Sequence, residues 1–187
     1  MTLQQYQQLY SLPSGLTNME YTIEVLKIMN IDGNKYTIKQ INDIVESIKV
    51  PEIKNLKKHT IKINGKRYGI VKDIMKSTFN EWIQYESIIG ISTTEEDTIK
   101  NLHKILAIYV RPIKRKFLMF NKIQALDKID IAENENAMLQ MDIQDALAIN
   151  VFFYQLADIF IRSIRRRYLN QLIQISQITP MENKLKK

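Results

Sequence analysis

The stretch IKINGKRYGI, residues 61–70, predicts a β-hairpin in a chain whose other patterns are helical. Its central pair, Asn64-Gly65, suits a type I′ turn because both central positions of that turn need a positive φ. Across this turn Ile61 pairs with Tyr68, and one face of the hairpin is mainly apolar. Since a two-stranded ribbon is only marginally stable alone, we expect the apolar face to pack against helices.

Capping boxes mark the helix starts on both sides of the hairpin. In each box a threonine hydroxyl and a carboxylate or amide three residues later satisfy free backbone N–H groups. Boxes begin at Thr17, Thr37 and Thr78, and a fourth start lies in the acidic segment 92–97. Glycines and prolines mark the helix ends. The predicted helices lie near residues 2–11, 17–30, 37–49, 78–89, 94–110, 119–131 and, as one long last helix, 142–176.

These patterns predict a mainly α protein: a helical domain with one small β-hairpin. The hairpin lies between an N-terminal helical subdomain and a C-terminal helical body that carries the long last helix. The predicted divisions are 1–58 for the N-terminal subdomain, 59–73 for the hairpin connector, 74–178 for the main body and 179–187 for a loose basic tail.

The composition excludes several classes of catalytic chemistry. The chain has no cysteine and two histidines, which excludes thiol chemistry and cysteine-ligated metals. No phosphate-cradling glycine motif and no nucleophile elbow is present. His103 lies at the edge of an apolar helix face, where a half-exposed structural histidine is the ordinary interpretation. We therefore predict no enzyme activity, no cofactor, no metal site and no transmembrane segment.

A carboxylate-based site is the one enzymatic alternative that the residue types allow. It would draw on Asp127, Asp130, Asp142 and Asp145. The first two flank the apolar Ile129 on an ordinary amphipathic pattern. The other two are typical of a helix N-terminus.

Positive charge is concentrated in a few segments, with 27 Lys and Arg against 20 Asp and Glu in the whole chain. Such clusters can meet acidic partner surfaces or phosphates. A solvated face or an acidic protein partner is favoured over nucleic acid, because no aromatic row alternates with the basic residues. The candidate partner or phosphate contacts are Arg111, Lys114, Arg115, Lys116, Arg162, Arg165 and Arg166.

The order of elements resembles small virion and tail-assembly proteins of tailed phages infecting Bacteroidetes, including the crAss-like phages. The segments that carry the resemblance are TNMEYTIEVLKIM (17–29), IKINGKRYGIVKDI (61–74), STFNEWIQYESII (77–89), NLHKILAIYVRP (101–112) and DIQDALAINVFFYQLADIF (142–160). Within them the matching residues are Tyr21, Glu24, Gly65, Tyr68, Trp82, Gln84, Leu106, Ala107, Pro112, Asp145, Ala146, Phe152 and Phe153.

The resemblance implies a non-enzymatic phage protein of the portal and tail region, either a structural subunit or a packaged cargo protein. Its partners would be other phage structural proteins, such as the portal, the tail or a larger cargo protein, met in multiple copies. It would reside in the virion, and in the host cytoplasm during assembly. The alternatives are a tail-assembly chaperone that is not retained in the virion and a nucleic-acid-binding accessory protein.

Overall fold

The computed structural model describes residues 1–48, 56, 58–71, 77–116 and 120–155. The chain divides into two compact units, residues 1–150 and 151–187. The described part is mainly helical and contains a small antiparallel sheet. The helices are α1 (Leu3–Tyr10), α2 (Asn18–Ile28), α3 (Ile38–Ser47), α4 (Phe79–Ile91), α5 (Glu95–Tyr109), α6 (Ile131–Leu139) and α7 (143–155). The strands are β1 (Thr60–Ile63), β2 (Lys66–Ile70), β3 (Val110–Lys116) and β4 (Phe120–Ile123).

Capping boxes form at the predicted helix starts. Thr17, Thr37 and Thr78 are the N-caps of α2, α3 and α4, and each hydroxyl accepts a hydrogen bond from the backbone N–H three residues later. Thr94 caps α5 in the same way, inside the acidic segment 92–97. A fifth box at Thr2 begins α1. The predicted starts at Thr17, Thr37, Thr78 and within 92–97 are confirmed. A capping box can be recognised in the sequence because its two residues are only three positions apart.

The predicted hairpin is confirmed together with its register. Asn64 has a φ of 47° and Gly65 a φ of 80°, as a type I′ turn requires. The pairs across the turn are Ile63 with Lys66, Lys62 with Arg67, Ile61 with Tyr68 and Thr60 with Gly69.

The prediction that the hairpin is the one β element of the fold is wrong, because β3 and β4 extend it into a sheet with the order β1-β2-β3-β4. The predicted helix over 119–131 is also wrong. Residues 120–123 form a strand, and Leu126–Lys128 form a single turn of 3-10 helix. Pro112 lies within β3, where its carbonyl accepts a hydrogen bond from Gln124 N just beyond β4. Its missing N–H therefore falls where the β3–β4 ladder ends, a position that tolerates proline.

Gly69 permits the close approach of β4 to β2. A Cβ built at this position would lie 2.5 Å from Cγ1 of Ile123 and 3.4 Å from Cγ1 of Ile113. The Ile123 side chain thus lies directly over the glycine. A glycine at this point lets the two strands that flank β3 come together over it.

Helix α5 forms the centre of the unit 1–150. Its C-terminal half is almost fully buried, with Tyr109 and Leu106 at 0% exposure, and it packs against α1, α4 and α6. Asn134 of α6 connects the end of this helix to the sheet, because its side-chain amide donates to Ala107 O at 2.7 Å and to Val110 O at 2.9 Å. The apolar hairpin residues predicted to face the helices are buried: Ile61, Ile63, Tyr68 and Ile70.

The two ends of the unit 1–150 are joined by backbone hydrogen bonds. Leu3 N donates to Met141 O at 2.8 Å, and Ile143 N donates to Met1 O at 3.1 Å. Leu3 itself has no exposed surface. The first turn of α1 is therefore fixed beside the start of α7.

Some predictions fall on residues outside the described part. The continuation of the last helix beyond residue 155 is among them, as are Arg162, Arg165, Arg166 and the tail 179–187. The domain divisions at residues 58 and 73 stay a prediction. The compact unit 1–150 contains the sheet together with α1 to α6.

Candidate partner-binding surface

A groove lined by lysines lies along the β3–β4 ribbon. The strand register places Lys114 directly opposite Lys122, and Lys128 follows in the turn after β4. The cavity between them has a volume of about 440 Å³. We call it the lysine groove, and its lining residues are Lys114, Lys122, Ile123, Gln124, Ala125 and Lys128.

The positive charge of the lysine groove is largely uncompensated. Lys114 and Lys122 are exposed and make no ion pair with a described residue. Lys128 has Asp127 near it, but the Nζ–Oδ2 distance is 3.8 Å and both side chains are at least 70% exposed. Such a solvated contact contributes little. Because like charges directly opposite each other on neighbouring strands are unfavourable, the Lys114–Lys122 pair would gain from an anion bound between them.

Among the predicted contacts, Arg111 does not belong to this surface. It is 5% exposed, and its Nη1 donates to Oε1 of Glu81 at 2.8 Å. Glu81 is also buried, and its other carboxylate oxygen accepts from Thr78 N at 3.2 Å in the capping box of α4. A buried position paired to an internal carboxylate does not fit a contact with an external partner or phosphate. Arg111 instead joins β3 to the start of α4.

The other members of the predicted cluster stand on the same ribbon. Lys114 lines the lysine groove. The backbone positions of Arg115 and Lys116 pair with Asn121 and Phe120 in the β3–β4 ladder. The basic segment 111–116 is thus part of β3, which forms one side of the β3–β4 ribbon.

A second cavity, of about 340 Å³, adjoins the lysine groove through Gln124 and Lys128. Its character is mixed, because Lys66 Nζ lies 3.1 Å from Glu133 Oε1 across it. The hydrogen bond to Glu133 raises the pKa of Lys66, and burial raises the pKa of Tyr68 at the same cavity. With cations and carboxylates already paired, this cavity has no net preference for either sign of charge.

A third cavity, of about 600 Å³, lies between α1 and the end of α2. Neutral amides dominate its lining, and two of them, Gln4 and Gln140, are hydrogen-bonded at 2.9 Å. The one charged side chain there, Lys27, is paired with Glu24 at 2.7 Å. The cavity thus lacks a free charged group that would orient a ligand.

The four aspartates of the enzymatic alternative do not converge. Asp130 caps α6 by accepting from Glu133 N at 3.1 Å, and Asp142 accepts from Gln144 N at 2.9 Å. Asp145 is paired with Lys58 at 3.0 Å, and Asp127 is exposed beside Lys128. No group of three or more histidine or acidic side chains able to hold a metal ion occurs among the described residues.

His103 is half-buried, and its Nδ1 lies 3.2 Å from Gln7 Nε2. The same Gln7 amide donates to the α5 carbonyl of Ile99 at 2.7 Å. Burial, and then the charge of Lys104, lowers the pKa of His103. The contact with Gln7 places His103 at the packing of α1 against α5.

The exposed side of α4 carries three large apolar side chains among polar ones. Phe79 and Ile83 are four residues apart on one side of the helix, and they are 78% and 47% exposed. Ile91, at the end of the helix, is 65% exposed. Gly90 on this face has open space around it. We call Phe79, Ile83 and Ile91 the α4 outer face.

Comparisons with models of known protein families, with curated proteins and with solved structures found no match. Within the described ranges, no helix combines the length and the apolar character needed to cross a bilayer. A functional proposal therefore rests on the lysine groove, the α4 outer face and the sequence resemblance.

Sequence reasoning identified Lys114 but missed Lys122 and Lys128. Lys122 lies in the segment that was interpreted as helix, where it would have no fixed relation to Lys114. No turn signal of the Asn-Gly kind separates the two strands in the sequence, so local patterns do not reveal this pair. Only the register of β3 with β4 brings the three lysines to one groove.

Proposed function

We propose that this protein is a non-enzymatic component of a tailed-phage virion, a structural or packaged cargo subunit of the portal and tail region. It acts through contacts with other phage proteins. The sequence resemblance supports the phage setting. The exposed apolar α4 outer face is the structural observation that carries the protein–protein role.

The α4 outer face has the properties of a contact surface. An exposed phenylalanine and two isoleucines on one helix gain free energy when a partner covers them, about 1.5–3 kcal/mol for each side chain fully buried. The helix that presents them is held firmly, because Glu81 joins its first turn to Arg111 of the sheet. A rigid, exposed apolar face binds with little ordering cost.

The finer arrangement belongs to the same proposal. The hairpin would separate an N-terminal helical subdomain from a C-terminal helical body, and the long last helix would supply core contacts and present aromatic and basic residues to a partner. Multiple copies would meet the portal, the tail or a larger cargo protein in the virion.

The test is mass spectrometry of purified virions, combined with pull-down of the tagged protein from infected cells. Recovery in virions together with a portal or tail protein supports a virion component. Recovery only with tail proteins outside virions supports the assembly chaperone. The proposal is wrong if the protein is absent from purified virions and no phage structural protein is recovered with it.

The α4 outer face is tested in the same pull-down with the double variant Phe79→Ala/Ile83→Ala. We expect loss of the phage partner with this variant. Met19→Ala/Ile38→Ala, which truncates two exposed apolar side chains on α2 and α3 at 75% and 80% exposure, is the matched control and should retain the partner. Equal retention by both variants would show that the partner binds elsewhere.

The nucleic-acid alternative has a separate test. A DNA-binding accessory protein would be retained on DNA at low salt and released steeply as the salt concentration rises, because phosphate contacts release counterions. Absence of retention at low salt removes this alternative.

A further inference from the structure

We propose that the lysine groove binds a short acidic segment of a partner protein. Carboxylates of the segment would pair with Lys114, Lys122 and Lys128, and an aliphatic side chain between them would rest on Ala125. This second contact surface is separate from the α4 outer face, and the inference does not depend on the phage setting.

The charge arrangement identifies the sign of the ligand. Three ammonium groups surround one cavity, and no carboxylate is among its described lining residues. Two of them, on Lys114 and Lys122, are held opposite each other by the strand register. A cleft lined by one sign of charge concentrates ligands of the opposite sign and accelerates their association. Bound carboxylates would also relieve the repulsion between the two lysines.

The lining of the groove favours a peptide over nucleic acid. Single-stranded nucleic acid binds largely by stacking its bases on aromatic side chains, and none of the lining residues that the structure describes is aromatic. Its described uncharged lining is Ile123, Gln124 and Ala125, and since the Ile123 side chain lies over Gly69, Ala125 is the aliphatic side chain open to a peptide. Gln124, also in the lining, makes no side-chain hydrogen bond with a described residue, so its amide is available to a peptide backbone.

The neighbouring cavity limits the length of the acidic segment. Beyond Lys128 the lining includes Asp130 and Glu133. Because Lys66 and Lys128 balance these carboxylates, further acidic residues of the partner would gain no charge attraction there. The groove therefore accepts two or three acidic residues spaced by aliphatic ones, rather than a long run of negative charge.

The experiment uses the full chain and a labelled probe peptide of sequence Glu-Leu-Glu-Leu-Glu with blocked ends, measured by fluorescence anisotropy at low salt. The same peptide with glutamine in place of glutamate is the neutral probe. A 20-nucleotide single strand and a 20-base-pair duplex are the nucleic-acid probes. We expect the acidic peptide to bind, and the neutral peptide to bind at least tenfold more weakly.

The variant Lys114→Gln/Lys122→Gln should weaken binding of the acidic peptide roughly tenfold, since each solvated charge contact contributes a modest amount. The matched control is Lys62→Gln/Arg67→Gln, which removes the other exposed pair of opposed cations, on β1 and β2. It removes the same total charge and should change the affinity less than twofold. Urea unfolding should show both variants to be at least as stable as the parent, because each loses a like-charge pair.

Three results would overturn the inference. One is equal binding of the acidic and the neutral peptide. Another is an equal loss of affinity in both double variants, which would indicate net charge rather than a site. The third is that either nucleic-acid probe binds more tightly than the acidic peptide and loses affinity in the Lys114→Gln/Lys122→Gln variant. That result would make the groove a phosphate site. Phe79→Ala/Ile83→Ala should leave peptide binding unchanged, so failure of the proposed function and failure of this inference are distinguishable.

Discussion

Replacing Arg111 with methionine should destabilise the fold by about 3–5 kcal/mol, the usual cost of breaking a buried ion pair from one side. The Nη1–Oε1 distance to Glu81 is 2.8 Å, and both side chains are 6% exposed. For charge centres about 4 Å apart and an effective dielectric constant of about 20, the Coulomb energy is about 4 kcal/mol. The variant leaves the Glu81 carboxylate buried without its cation. Since domains of this size unfold with about 5–15 kcal/mol, the loss is a large fraction of the total.

The assay is urea unfolding followed by the fluorescence of Trp82, the one tryptophan of the chain, which adjoins Glu81 in α4. The double variant Glu81→Leu/Arg111→Met is the matched control. Because it removes both charges, its stability should fall only by the cost of the lost cap at Thr78 N, about 0.5–2 kcal/mol, far from the sum of the two single losses. A loss below about 1 kcal/mol for Arg111→Met would refute a buried, desolvated pair.

Three further predictions rest on contacts of the sheet and of α5. Gly69→Ala should destabilise the fold by about 1–3 kcal/mol by forcing a Cβ against Ile123, whereas Gly15→Ala, with nothing within 4 Å, should cost far less in the same urea unfolding experiment. Asn134→Ala should cost at least about 1–3 kcal/mol, because it leaves two buried carbonyls without a donor, and an unchanged unfolding midpoint would contradict that role. Burial lowers the pKa of His103, so the unfolded chain binds the proton more readily than the folded protein does. The thermal midpoint should therefore be highest above the ordinary histidine pKa of about 6.5 and should fall as the pH drops below that value. His103→Gln should flatten this dependence of the thermal midpoint on pH.

Local signals in the sequence predicted the helices well. The N-caps at Thr17, Thr37 and Thr78 follow from boxes of four consecutive residues, and the hairpin follows from one dipeptide. In each of these cases the residues that determine the structure are neighbours in the chain. No knowledge of the tertiary fold is needed to recognise them.

The rest of the sheet could not be predicted in this way. Its central pairing joins Tyr68 to Pro112, and proline within a basic segment reads as a loop. The pairing joins residues that are 40–44 positions apart in the chain, and propensity over a short window carries no information about such contacts. The same limit explains why Lys122 was not associated with Lys114.

Arg111 shows the limit for the candidate site. In the sequence it begins a run of basic residues, which is typical of a solvated surface. Its partner Glu81 is 30 positions earlier and is already accounted for by the capping box. Only the packing of α4 on the sheet shows that one carboxylate serves both partners.

The hydrogen bonds between residues 1–3 and 141–143 have a consequence for the order of folding. Leu3 is fully buried, yet its backbone partner lies 138 residues further along the chain. During synthesis α1 must therefore wait, without its final neighbour, until nearly the whole unit 1–150 has left the ribosome. Contacts of such high sequence separation slow folding. We expect the start of the chain to acquire protection from hydrogen exchange last, after the hairpin and α5 have formed.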